Sequence, residues 1–354
     1  MDNLRIDNHK LIYHVERVSQ WKKGGLIAPI YMEIAPSGGC NHRCIFCALD
    51  YIGYKPRFLD PKVLKAAIKD AAKYGVKSVM FAGEGEPLLH EDIDSIIGFT
   101  KHSGLDVSVT TNGVFLNDRL IKDCLGFLSW VRVSFNAGSS KAYEKIHHSA
   151  KGDFKKALLN LEKAVRFKKA HRLICTIGVQ MLLIPENVNE VVKLAKVLKD
   201  IGVDYFTVKP FSKHPMSICN IDRNFDYRKF LFLEKKLSRL AAKDFKIIFR
   251  SHTMEKLKEP RFYRHCLGLP FWAYISAEGD VYACSAYLGN KKFMYGNIYK
   301  SKFSDIMNGT RRKQILNMAA TRLDTGKCRE VCRLDEINRY LWELKYPGPH
   351  INFI

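Results

Sequence analysis

The segment CNHRCIFC sets Cys40, Cys44 and Cys47 at a C-x3-C-x2-C spacing within eight residues. Ser37, Gly38 and Gly39 precede it, so the three thiols sit on a glycine-led loop that can wrap one metal centre. A structural zinc site takes four protein ligands. His42 has the right type for the fourth, but it lies inside the loop, where the geometry is poor. Three thiolates and a vacant fourth corner suit an iron–sulfur cluster, whose open iron can take a small chelating ligand. A second set lies far downstream. Twelve residues separate Cys266 from Gly279, Gly279-x4-Cys284 follows, and Cys328 and Cys332 form C-x3-C. Four sulfurs from two distant segments can close one tetrahedral site, which zinc also favours.

Repeated strand and helix signals must position these loops. Strands are expected at Ile27–Ile34, Ser78–Ala82, Asp106–Thr110, Ser129–Asn136, Ile174–Leu183 and Tyr205–Pro210. Amphipathic helices are expected at Pro61–Tyr74, His90–His102, Asn117–Leu125, Phe154–Lys169 and Val188–Ile201, several ending near a glycine. Six β/α units imply a parallel sheet with right-handed crossovers, too few for a full barrel. The fold expected is therefore α/β, an open, partial (β/α)6 barrel. After it come a charged helix at Tyr227–Ala242, a strand-like FKIIF, and an aromatic hairpin turning at Ala277–Asp280. The last helices are expected at Lys302–Asn308 and Leu334–Leu344. The divisions expected are a basic extension over 1–26, the barrel over 27–215, a linker over 216–259 and a small α+β domain over 260–354.

The composition sets bounds. The chain has 354 residues, 47% hydrophobic and 27% charged, which is ordinary for a globular protein of about two domains. No stretch reaches the ~18 uncharged apolar residues of a membrane helix, and the polar start is no secretory signal, so a cytoplasmic protein is expected. Ten cysteines in such a chain read as metal ligands or catalysts before disulfides. The formal charge of +22 suggests an acidic partner. A solvated basic surface accounts for the same number.

Strand parity selects the residues that can face a barrel interior. In WVRVSFNAG, Trp130, Arg132, Ser134 and Asn136 share the polar face. A buried Arg132 needs a partner, which a cofactor carboxylate, an acidic substrate or an internal salt bridge would supply. Gln180 reads as inward, Lys209 lies near the carboxyl end of its strand, and Glu33 can face inward from the first strand. Cys124 and Cys175 read as core. Cys219 follows the sixth strand on a loop that could approach the barrel mouth.

With these motifs in place, the sequence resembles the radical S-adenosylmethionine (radical SAM) enzymes, whose signature is C-x3-C-x-aromatic-C after the first strand. Phe46 holds the aromatic position, and the resemblance covers roughly 29–215. It implies a [4Fe–4S] cluster on Cys40, Cys44 and Cys47 that binds S-adenosylmethionine. The family has Gly-Gly-Glu-Pro after the second strand. Here Gly83, Glu84, Gly85 and Glu86 precede Pro87, with Glu84 the departure. By the resemblance, these residues and Thr111, Asn112, Ser134 and Asn136 touch the cofactor. Arg132 and Gln180 join that set by their faces. Downstream, the order of features resembles the SPASM/twitch extensions. Four cysteines where a full SPASM domain has seven favour the shorter twitch type, with one auxiliary [4Fe–4S] cluster on Cys266, Cys284, Cys328 and Cys332.

The resemblance implies reductive cleavage of S-adenosylmethionine to a 5′-deoxyadenosyl radical, fed by a donor such as flavodoxin or ferredoxin. Hydrogen abstraction would follow from a small, acidic or sugar-like substrate, giving oxidation or epimerisation. Glu33, Lys209 or His214 would be the base for oxidation, and Cys219 the hydrogen donor for epimerisation. A ribosomally made peptide or protein is the alternative substrate. A non-catalytic metal protein binding nucleic acid is the alternative of another class, although no recognisable nucleic-acid-binding module supports it.

Overall fold

The computed structural model of the chain describes residues 6, 8–222, 225–257 and 259–353. The first five residues and residue 7 of the expected extension lie outside it, as do three positions of the expected linker, 223, 224 and 258. The six expected strands form as β1 (Tyr31–Ile34), β2 (Ser78–Phe81), β3 (Asp106–Thr111), β4 (Leu128–Ser134), β5 (Thr176–Leu183) and β6 (Tyr205–Pro210). Each pairs in parallel with the next. The helix at Pro61–Tyr74 shows why the crossovers fold. Asp60 caps it by accepting from the N–H groups of Lys62 and Val63 at 2.8 and 3.0 Å. Leu64, Ala67, Ile68 and Ala71 bury one stripe on the sheet, and Gly75 ends it at φ +112°.

Four further strands extend the sheet. These are β7 (Lys246–Phe249), β8 (Trp272–Ile275), β9 (Asp280–Tyr282) and β10 (Met294–Asn297). The order is β10-β9-β8-β1-β2-β3-β4-β5-β6-β7. β7 adds in parallel to β6, and β8 adds in parallel to the far edge of β1, with Glu33 opposite Tyr274. Eight parallel strands therefore run from β8 to β7, two more than the β/α pattern predicts. The expected hairpin is present, with Tyr274 opposite Tyr282. Its first strand also belongs to the barrel sheet. Pairing of β8 with β1 joins segments some 240 residues apart, which no local pattern records. The expected helix Tyr227–Ala242 shortens to a 3₁₀ turn and a helix at Phe232–Ser238.

The segment before β1 carries a 3₁₀ turn at Leu11–Tyr13 and a helix at Val15–Lys22. Leu11, Val18, Ile27 and Ile30 pack with Leu267, Phe271 and Leu341 into a second small core. Among the described residues no helix is long and apolar enough to cross a membrane. Arg312, on the helix Thr310–Thr321, is fully buried and ties three elements together. It donates to the carbonyls of Met307 at 3.0 Å, Ile27 at 2.8 Å and Pro270 at 3.2 Å. Arg312→Met keeps the volume but strands those carbonyls, so urea unfolding should report about 3 kcal/mol less stability.

Candidate active site

The thiol loop is fixed by backbone contacts on both sides. The N–H groups of Arg43 and Ile45 donate to the carbonyls of His147 and Ile146, both at 3.0 Å, at the end of the helix Ser140–His147. The Glu86 N–H donates to Gly39 O at 2.9 Å. A side chain at Gly85 would run into Gly39 O and lie within 2.6 Å of Ser37 O. The GEGEP loop thus meets the cysteine loop backbone to backbone, as only glycine allows.

Each thiol of this loop has at least one hydrogen-bond donor. The His42 N–H donates to Cys40 Sγ at 3.5 Å, and His147 Nδ1 lies 3.3 Å from Cys44 Sγ. The Tyr54 hydroxyl hydrogen-bonds Cys47. Burial pushes the Cys40 thiol up to about 12 and raises those of Cys44 and Cys47 as well. His42 Nε2 lies 3.0 Å from Asp153 Oδ2, which engages that ring nitrogen.

The downstream cysteines also converge. Cys266 accepts from Asn338 Nδ2 at 3.5 Å, Cys284 from Ala286 N–H at 3.4 Å, and Cys332 from Leu334 N–H at 3.3 Å. The Tyr287 hydroxyl lies 3.1 Å from Cys328 Sγ. Cys266 and Cys284 each feel the charge of the other cysteines of the set. A zinc ion with Zn–S bonds of about 2.3 Å would draw four sulfurs to roughly 3.8 Å from one another. Among the described residues, the trio of candidate ligand atoms all within 4.8 Å of one another is His42, Cys44 and His147. Neither cysteine set has its sulfurs all within that distance of one another.

Between the two sets lies a cavity of about 1330 Å³. Phe46, Cys47, Gly83, Arg132, Ser134, Gln180, Lys209 and Glu33 line it from the barrel; Cys284, Cys328 and Cys332 line it from the C-terminal region. Register explains the barrel set. Thr110 stands beside Arg132, Ser134 beside Gln180, and Leu182 beside Lys209. Gly178 leaves room for the Tyr205 ring, which would otherwise be struck by a side chain there.

Several expected residues do something else. Glu84 is buried away from the cavity, 3.3 Å from Arg57 Nη2. Burial lifts its carboxyl to about 7, with Arg57 pulling the other way. Arg57 also pairs with Glu278 on the hairpin at 2.5 Å, so Glu84 serves the junction rather than the cofactor. Asn136 is fully buried and braces the backbone, its Oδ1 accepting from Leu182 N–H at 2.6 Å. Glu33 forms an ion pair with Arg333, which removes it as a free base. His214 stacks on Tyr51 with centroids 4.9 Å apart, does not line the cavity, and is held down to about 4 by burial and then by Arg329. Cys219 is buried and also absent from the cavity wall, so it is not placed to return hydrogen.

Glu86 is buried at the ends of β2 and β3. Its carboxylate accepts from Thr111 Oγ1 at 2.6 Å, Asn112 N–H at 2.7 Å and Leu88 N–H at 3.1 Å. Burial lifts it to about 7 against those three donors. Thr111 thus holds Glu86, while Asn112 Nδ2 reaches Asn41 at 2.7 Å on the cysteine loop. The residues present fit the implied groups: three thiols beside a buried carboxylate for S-adenosylmethionine and its cluster, and four thiols for a second cluster. Sequence reading passed over Arg329 and Arg333, which flank the thiols of C-x3-C, and Arg250 after β7. Two arginines adjoining a cysteine motif, Arg329 and Arg333, were the available signal.

Comparison with known proteins agrees with this geometry. The radical SAM superfamily model matches residues 34–207, and the iron–sulfur cluster-binding SPASM model matches residues 266–333. A probable GTP 3′,8-cyclase of Methanocaldococcus jannaschii is 27% identical over 173 residues, 48% of this chain and 55% of that protein. The GTP 3′,8-cyclase of Aquifex aeolicus is 31% identical over 180 residues, 49% of this chain and 53% of that protein. The chain spans about half the length of these relatives. Streptococcus suis SuiB bound to S-adenosylmethionine superposes with a TM-score of 0.68 at 17% identity, over 90% of this chain and 75% of that one. AnSMEcpe with bound AdoMet gives 0.60 at 17% identity, over 90% and 96%. At these identities the structural likeness is one of fold.

Two separate thiol sets should load iron independently. Anaerobically reconstituted Cys44→Ala and Cys328→Ala proteins should each keep roughly half of the wild-type iron. Iron assay with Mössbauer spectroscopy checks this, and loss of all iron from either variant would show one shared site. By its cysteine loop, its parallel sheet and both domain matches, the chain belongs to the radical SAM superfamily and carries a C-terminal SPASM-type iron–sulfur domain.

Proposed function

We propose that this enzyme abstracts hydrogen from a small anionic substrate held in the barrel cavity and completes a two-electron oxidation there. The observation that carries the reading is the cluster of cations inside. Arg132, Arg250, Arg329 and Arg333 all bear on Lys209. Glu33 balances Arg333. Arg132 donates to Thr110 Oγ1 at 3.2 Å and packs on the Trp130 ring, while its Nε is buried without a partner. Arg329 donates to Ser212 Oγ at 3.3 Å. Half-buried cations that bind neutral oxygens retain the capacity to take phosphate or carboxylate.

When bound at the three-thiol site, S-adenosylmethionine supplies a 5′-deoxyadenosyl radical after one-electron reduction. The barrel walls exclude water and fix the substrate, which converts binding into orientation. Lys209 is the candidate base that faces this space, and among the described residues it has no acidic partner. Its ammonium is destabilised first by burial and then by the four arginines. The same amine can therefore carry charge beside an anion and release its proton at higher pH. Cys284, Cys328 and Cys332 on the opposite wall bring the second metal site within reach of the substrate's electron. Burial of Cys219 off the cavity wall weighs against its serving as the hydrogen donor that epimerisation would use, which favours oxidation. The relatives named GTP 3′,8-cyclase match about half of this chain, and a nucleoside triphosphate belongs to the anion class proposed. Membership of an enzyme superfamily sets aside the non-catalytic reading.

Arg132→Met should weaken binding of GTP or inorganic triphosphate about tenfold, the loss of one charge-assisted contact, while cofactor cleavage in dithionite continues. Calorimetry and 5′-deoxyadenosine assays separate the two, and unchanged anion affinity in both Arg132→Met and Arg329→Met would refute the reading. The pH dependence has a definite sign. An anion raises the pKa of Lys209 above its lowered free value, so binding takes up a proton between those two values. Affinity for sulfate, which does not titrate here, should fall as pH rises through that window. Lys209→Met should flatten the profile, and a flat wild-type profile counts against Lys209.

A further inference from the structure

We propose that His147 sets the reduction potential of the S-adenosylmethionine-binding cluster by donating an N–H···S hydrogen bond to Cys44. The orientation of the ring carries the inference. His147 Nε2 accepts from the backbone N–H of Asn136 at 3.1 Å. A neutral imidazole that accepts at Nε2 keeps its proton on Nδ1. That nitrogen lies 3.3 Å from Cys44 Sγ. The ring cannot swing away. It stacks on Tyr143 with centroids 4.1 Å apart, meets Phe46 edge-on at 5.3 Å, and is fully buried. Backbone bonds from Arg43 and Ile45 hold the end of its helix against the cysteine loop.

A donor aimed at a coordinating thiolate stabilises the more negative, reduced state of the cluster. Hydrogen bonds to the sulfurs are among the factors that set such potentials. His147 is thus a positioning residue that acts through Cys44. It touches neither substrate nor cavity. Its anchor, the Asn136 N–H, stands at the end of β4, beyond the inward-facing Arg132 and Ser134. The strand end is thereby linked to the metal site by two consecutive hydrogen bonds.

The test uses the full-length holoenzyme without substrate. In His147→Phe, an electron-paramagnetic-resonance redox titration should show a more negative midpoint for the three-thiol cluster. The expected shift is about tenfold in the reduced-to-oxidised ratio at fixed poise, equivalent to about 59 mV for one electron. His147→Gln, which keeps an N–H donor, should recover part of it. Fully loaded His147→Phe protein with an unchanged midpoint overturns the proposal. Should the variants fail to load, wild-type protein labelled with imidazole-15N histidine decides. Weak 15N hyperfine coupling to the reduced cluster, accompanied by an exchangeable proton, supports the hydrogen bond. Absence of coupling, or the strong coupling of a nitrogen bound directly to iron, overturns it.

Discussion

A buried thiol is a poor ligand until a metal takes its proton, and this chain encloses two sets of them. Burial raises the thiols of Cys40, Cys44, Cys47, Cys266, Cys284 and Cys332, the first and fourth to about 12. Coordination deprotonates such groups outright, so the free energy of metal binding becomes free energy of folding. The surrounding donors fit that state. Backbone N–H groups after Cys40, Cys284 and Cys332, with His147, Tyr54, Tyr287 and Asn338, all face sulfur. Most of them lie on loops whose conformations the clusters must hold together.

The same constraint explains why the two halves share one sheet. The C-terminal thiols must stand opposite the barrel mouth, and pairing of β8 with β1 brings them there. Arg333, immediately after Cys332, then reaches Glu33 on β1 and sits against the Tyr31 and Trp272 rings at 5.8 and 5.3 Å. Burial alone would lower the pKa of Arg333, but Glu33 and Tyr31 raise it, which keeps the guanidinium charged. On the other edge of the hairpin, Arg57 spans Glu84 and Glu278. Two arginines thus fasten the C-terminal region to the barrel, Arg333 through Glu33 and Arg57 through Glu84 and Glu278.

Local chemistry was legible in the sequence. The cysteine spacing, the glycines of GEGEP and the strand parities that turn Arg132, Gln180 and Lys209 inward depend on neighbours a few residues apart. What depends on distant partners was not. Glu33 reads as a base until Arg333, 300 positions later, arrives beside it. FKIIF and WAYI read as linker and hairpin because their pairing with β6 and β1 leaves no periodic mark. His147 lies on SKAYEKIH, a two-turn helix without a side-chain cap hydrogen bond, too short for a helical pattern to declare itself. Glu84 stands in a loop whose resemblance points to the cofactor, yet its own carboxylate goes to Arg57.

Concentrating cations in one enclosed space carries an electrostatic cost, and the metal site opposite offsets it. Arg329 lies beside Cys332 and Cys284, Arg333 beside Cys284, and Arg261 beside Cys332 and Cys328. Four thiolates around an iron–sulfur core leave net negative charge. The arginines stabilise that charge, and the charge in turn holds them in the cavity. An anionic substrate of the kind proposed would then meet a field already partly neutralised, which would temper its affinity. Arg132 and Lys209 line the same cavity from the barrel side. On the proposed reading the substrate's charged end would meet them there, and its uncharged part would lie toward the thiols that line the same space.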